Sequence, residues 1–128
     1  MATTPRPRVL VVDDERPFVE LVAAFLEDEG FTVERAYDGG QALALLQTDN
    51  PPDLVLTDVM MPHLTGPELL KQARRRHTAE RLPFMLLSAG PNPGVRGERV
   101  SFMSKPLDLI ELLTQVEALV PVIQCQQH

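Results

Sequence analysis

Apolar residues fall in two patterns along this chain. Residues 9–12, "VLVV", and 54–57, "LVLT", are apolar without alternation, as expected of strands buried on both faces. Residues 83–87 read as a further strand, 31–36 as a more exposed one and 100–103 as a short last one. Between them the spacing turns helical. Arg16 and Pro17 open a helix whose apolar positions are Phe18, Leu21, Val22, Phe25 and Leu26, with Gly30 as its stop signal. Asp38 is placed to cap a helix that turns Ala42, Leu45 and Leu46 inward and halts at "DNPP". Thr65 and Glu68 have capping-box spacing ahead of a helix running to Arg74, Arg75, Arg76 and His77. Asp108 and Glu111 repeat that spacing before a last helix with Leu109, Leu112, Leu113, Val116 and Val120 inside.

Strands alternating with helices predict an α/β fold, a parallel sheet wound on both faces through right-handed crossovers. Five strands fit the flavodoxin-like order 2-1-3-4-5. That order makes strands 1 and 3 neighbours at the switch point, where ligands bind beyond the carboxyl ends. Asp13, Asp14, Asp58, Ser88 and Lys105 all follow strand ends, so the topology brings them to one rim.

Composition narrows the class. The chain has 128 residues, 44% of them hydrophobic and 23% charged, which suits one globular domain with a core over about 8–120 and a short tail at 121–128. A net charge of −6 argues against non-specific nucleic-acid binding. No apolar run reaches the roughly 20 residues of a membrane span, and "MATTPRPR" has no apolar leader segment. One cysteine, Cys125, rules out an internal disulfide. These features point to the cytoplasm and away from a membrane.

The acidic rim asks for a counter-charge. Clustered carboxylates are costly without a cation among them. Lys105 brings one charge against three and is expected to pair with Asp58. Oxygen donors of this kind suit Mg²⁺, completed by a carbonyl, waters and a phosphate oxygen. One of the carboxylates could then attack phosphorus to give an aspartyl phosphate. Metal, Lys105 and Ser88 would neutralise and orient the transferring group.

Four segments carry a resemblance. They are Asp13–Asp14 after strand 1, "LTDVMMPHLTG" around Asp58, "LLSA" ending in Ser88 and Ala89, and "FMSKP" with Phe102, Lys105 and Pro106. In this order the chain resembles a response-regulator receiver domain, the phospho-acceptor half of two-component signalling. The resemblance spans about Val9 to Val120. It implies that a sensor histidine kinase or histidine phosphotransfer protein phosphorylates Asp58, and that a downstream protein reads the result. It implies Mg²⁺ held by Asp14, Asp58 and the carbonyl of Met60, with Asp13 acting mainly through water. Ser88 and Lys105 would contact the phosphoryl group, Phe102 would be the aromatic switch, and the Lys105–Pro106 bond would be cis. After Val120 only "PVIQCQQH" remains, so no DNA-binding domain is expected.

Plainer roles compete for some of these residues. Glu15 suits the start of the first helix, where acids are favoured. Arg74–Arg76 read as a solvated last turn rather than a nucleic-acid patch. His63, His77 and His128 are too scattered for a metal site. An aspartyl phosphatase would need a second Asp two residues after its nucleophile, and Met60 stands there. A flavodoxin would need a phosphate-cradling loop where this chain has acids. A degenerate receiver, kept as an unphosphorylated docking module, would be expected to lack some of the five key residues.

The resemblance also implies a fourth helix between the strand ending at Ser88 and that holding Phe102. The interval here reads "AGPNPGVRGERVS". Its prolines and glycines cost an internal helix about 3 and 1 kcal/mol each, and Val95 and Val100 define no face. That helix is expected to be absent or reduced to a turn.

Overall fold

The computed structural model describes residues 6–76, 80–91, 94, 97 and 99–120. His77, Asn92, Pro93, Val95, Arg96, Glu98 and the 121–128 tail with Cys125 and His128 lie outside the described residues. The strands are β1 (Arg8–Val12), β2 (Thr32–Ala36), β3 (Leu54–Asp58), β4 (Phe84–Ser88) and β5 (Val100–Ser104). They form one parallel sheet in the order β2-β1-β3-β4-β5, as the alternation predicts. The register sets Val12 beside Thr57 and Asp58 beside Leu87, so β1, β3 and β4 end at nearly one level.

Alternate strand residues point to opposite faces. Val9, Val11, Leu54, Leu56, Met85 and Leu87 pack against α1 (Arg16–Asp28) and α4 (Leu109–Leu119). Leu10, Val12, Val55 and Phe84 pack against α2 (Gly39–Leu46) and α3 (Gly66–Ala73). Two-sided burial is why β1, β3 and β4 carry unbroken apolar runs. The caps act as the sequence suggests at α2, where Asp38 accepts from the Gln41 amide at 2.7 Å, and at α3, where Thr65 and Glu68 complete their box. Gly30 follows α1 at φ 102°, a value glycine takes without a Cβ clash.

Several local expectations are corrected. The buried face of α1 is Val19, Val22, Ala23 and Leu26, while Leu21 is 57% exposed and Phe18 and Phe25 are half-buried. The helix is thus turned so that the small Ala23 meets the sheet. α3 stops at Ala73. The amides of Arg75 and Arg76 donate to Gln72 and Ala73, three residues back, so the chain tightens into a 3₁₀-type turn before His77. Asp108 caps α4 by accepting from the amides of Ile110 and Glu111, an Asx-type cap rather than half of a reciprocal box.

β4 connects to β5 through residues 89–99, with no helix among the described residues. Gly94, Gly97 and Arg99 have φ of 84°, 156° and 61°, which no right-handed helix passing through them tolerates. Among its described residues the connection carries no regular crossover helix. No helix among the described residues is long and apolar enough to cross a membrane.

Candidate functional site

The carboxyl ends of β1, β3 and β4 open into a cleft of about 580 Å³. Asp14, Asp58, Met60, Ser88 and Lys105 line it. Asp13, directly after β1, is fully buried beneath. Asp13, Asp14 and Asp58 each offer a carboxylate oxygen within 4.8 Å of the other two. The parallel register makes this convergence, since each residue ends or follows a neighbouring strand.

Asp13 has both oxygens engaged. Oδ1 accepts from the amide of Glu15 at 2.9 Å, and Oδ2 accepts from Lys105 Nζ at 2.6 Å. Asp58, 9% exposed, has its Oδ1 3.3 Å from the same amine. The expected pairing of Lys105 with Asp58 is present, and the amine makes a second, shorter contact to the fully buried Asp13, which most needs a partner. Burial alone would pull the lysine pKa down. The hydrogen bond and charge of Asp13, then the charge of Asp58, more than reverse this, so Lys105 stays protonated. Its amine also sits 4.2 Å from the centroid of the Phe18 ring, a cation–π contact. The Lys105–Pro106 bond is cis, and the Lys105 amide donates to the Ser88 carbonyl at 2.8 Å, tying the lysine to β4.

Ser88 is 5% exposed, and its Oγ accepts from the Gly90 amide at 3.0 Å. That bond uses a lone pair and leaves the hydroxyl hydrogen to donate. Met60 projects at the cleft edge, 70% exposed. Phe102 is not brought to the cleft. It lies half-buried on β5 beside Leu86 and borders a separate depression with Pro106 and Glu111. Gly66 is a site residue the sequence reading passed over, although it closes the quoted "LTDVMMPHLTG". Its amide donates to the Val59 carbonyl at 2.9 Å. A Cβ there would sit 2.4 Å from the Asp58 carbonyl oxygen.

The donor set fits a hard divalent cation: three clustered carboxylates against one ammonium, and no softer ligand among them. Asp58 registers the imbalance. Burial and then the Asp13 charge raise its pKa, and Lys105 only partly opposes them. The native state thus keeps this proton to higher pH than the unfolded chain, whose aspartates titrate near about 3.9. In metal-free protein, stability should fall as pH rises from that unfolded value through the raised native one. Urea midpoints measured across this window should show the decline in wild type and lose it in Asp58→Asn. Parallel curves for the two proteins would contradict this account of the charge.

A family profile described as "Response regulator receiver domain" matches residues 9–117. The response regulator MprA of Mycobacterium ulcerans is 40% identical over 117 residues, covering 88% of this chain and 49% of that protein. MprA of Mycobacterium avium is 39% identical over 117 residues. The chain thus spans about half the length of these curated relatives. Among solved structures, the chemotaxis protein CheY4 of Vibrio cholerae superposes with a TM-score of 0.80 at 29% identity, covering 90% of this chain and 99% of that one. The receiver domain of the hybrid histidine kinase CckA gives 0.77 at 32%, covering 88% and 98%. With the sheet order, the acidic rim and the lysine at its centre, these likenesses place the chain in the response-regulator receiver domain family.

Proposed function

We propose that Asp58 is the phospho-acceptor of this receiver domain, charged in the presence of Mg²⁺ by a sensor histidine kinase or a histidine phosphotransfer protein. Receiver domains interact with histidine kinases and with downstream effectors, and a downstream protein target is proposed for this one. The placing of Asp58 carries the reading. Asp13 has both oxygens engaged, and Asp14 is exposed. Asp58 ends the central strand, faces the cleft, and has the ammonium of Lys105 at 3.3 Å.

In this reading an Asp58 carboxylate oxygen attacks phosphorus. A P–O bond forms as the P–N bond of a phosphohistidine breaks, and the leaving imidazole keeps the electron pair and takes up a proton. Lys105 balances charge on the transferring oxygens, and the Ser88 hydroxyl donates to one of them. Asp14, Asp58 and the Met60 carbonyl would hold Mg²⁺, with Asp13 acting through water. When bound, the metal supplies further neutralisation of those oxygens. Phe102 would follow Ser88 as the conformational readout. A cytoplasmic setting is proposed with it, and the single cysteine of the chain supports that reading.

Incubation with acetyl phosphate and Mg²⁺, followed by intact mass, should show one added phosphoryl group, and chelation should prevent it. An unchanged mass would favour an unphosphorylated docking module. The lifetime of the product depends on aligning a water opposite the leaving carboxylate. Met60 overhangs the cleft without a hydrogen-bonding group, and Gly90 has no side chain. Slow self-dephosphorylation is therefore expected, with a several-fold faster decay in Met60→Asn. A slower or equal decay in that variant would count against this role for position 60.

A further inference from the structure

The amino ends of β4 and β5, at the opposite end of the sheet from Asp58, border a second cavity of about 310 Å³. Three arginines from three parts of the chain wall it: Arg74 at the end of α3, Arg81 in the α3–β4 connection and Arg99 just before β5. Among the described residues one carboxylate, that of Glu80, shares the wall. In a chain with net charge −6, the described residues of this wall bring three guanidinium groups against one carboxylate, a local excess of positive charge.

The fold fixes the guanidinium of Arg74 and the backbone of Arg99, whose side chain is exposed, as is that of Arg81. Arg74 Nη1 donates to the Leu82 carbonyl, and the guanidinium carbon lies 5.4 Å from the centroid of the Phe84 ring. Arg99 takes φ 61°, a left-handed value unusual for a residue with a side chain, and its carbonyl accepts from the Phe84 amide at 2.8 Å. Burial, and then the neighbouring charge of Arg99, both hold the Arg74 pKa below the ordinary arginine value. Arg81 and Arg99 make no ion pair among the described residues. Like charges gathered in a concavity are relieved by a counter-ion, as the acids at the other end are relieved by a cation.

We infer that this cavity binds a small phosphate-bearing anion, contacted by Arg81 and Arg99 with Arg74 behind them. Guanidinium forks match phosphate oxygens in pairs. The volume lies at the small end of ligand pockets, suited to a diphosphate or a small phosphoester rather than a polymer. Leu70 and Val100 add an apolar side to the wall for the carbon part of such an ester. The site is independent of Asp58 and stands whether or not that residue is phosphorylated.

Pyrophosphate titrated into the full chain, at low ionic strength and free of divalent metal, tests this by amide NMR. Saturable shifts centred on Arg81, Gly97, Arg99 and Val100 are expected. Arg81→Gln and Arg99→Gln should each weaken binding roughly tenfold, the scale of losing a charge-assisted contact. Arg16→Gln, on the far helix, should bind as wild type does. Circular dichroism on both cavity variants establishes that they fold. Shifts that never saturate, an equal loss in Arg16→Gln, or shifts centred on Lys105 would each overturn the proposal.

Discussion

Asp58→Asn is expected to take up no phosphoryl group under conditions that label the wild type fully. The loss should be roughly a thousandfold or more in rate, the scale seen when a nucleophile is removed. The amide keeps the shape of the side chain but has no anionic oxygen to attack phosphorus. The same variant should be more stable than wild type without metal, by about 1 kcal/mol, as is common when a functional site gives up an unfavourable charge. The reason is local: the Asp58 carboxylate is mostly buried, stands beside Asp13 and shares one lysine with it. Added Mg²⁺ should shrink the difference, because the cation stabilises only the protein that keeps all three acids. Thermal melts with and without Mg²⁺ read both effects. A destabilised Asp58→Asn in metal-free buffer would show that the Lys105 pairing outweighs the repulsion.

Gly66→Ala should be the most damaging small substitution at the site. The added Cβ would lie 2.4 Å from the Asp58 carbonyl oxygen, and 3.2 Å from both the Asp58 carbonyl carbon and Val59 Cα. All three neighbours are backbone, so no side chain can swing aside. Either α3 moves away from β3 or the turn after Asp58 deforms, and overpacking of this kind costs about 3 kcal/mol. For a domain of this size that is a fall in Tm of roughly 10 °C. Because the displaced backbone carries Asp58 and Met60, phosphoryl uptake should slow as well. Gly90→Ala is the contrast, since its added Cβ would approach only Ser88 Oγ, at 3.7 Å. Equal melting temperatures for Gly66→Ala and wild type would mean that the close approach is not rigid.

The sheet was legible because two-sided burial writes itself as unbroken apolar runs at residues 9–12 and 54–57. Their order followed from alternation with helices, and the acidic rim followed from that order. The face of α1 was not legible. Leu21 and Phe25 carry strong hydropathy, but the sheet selects the side by shape, and Ala23 lets the helix approach where a larger residue would hold it off. The closer partner of Lys105 was hidden for a different reason. Asp13 and Asp58 both stand at the rim in sequence terms, and only depth decides between them: Asp13 is fully buried and takes the shorter contact. That no helix occurs among the described residues between β4 and β5 was legible in "GPNPG", because proline and glycine act on the backbone itself and need no tertiary context. Gly66 had a signal as well, a glycine at the first position of a helix, where no turn or cap calls for one.

The proposed chemistry depends on which carboxylate carries the phosphoryl group. Borohydride reduces an acyl phosphate to an alcohol and leaves free carboxylates untouched, so peptide mapping of reduced, phosphorylated protein marks the acceptor directly. The mark is expected at Asp58, in the peptide containing "LTDVMMPH", and should be absent when Mg²⁺ is withheld. A mark at Asp13 or Asp14, or the same mark at Asp58 in metal-free protein, would contradict it.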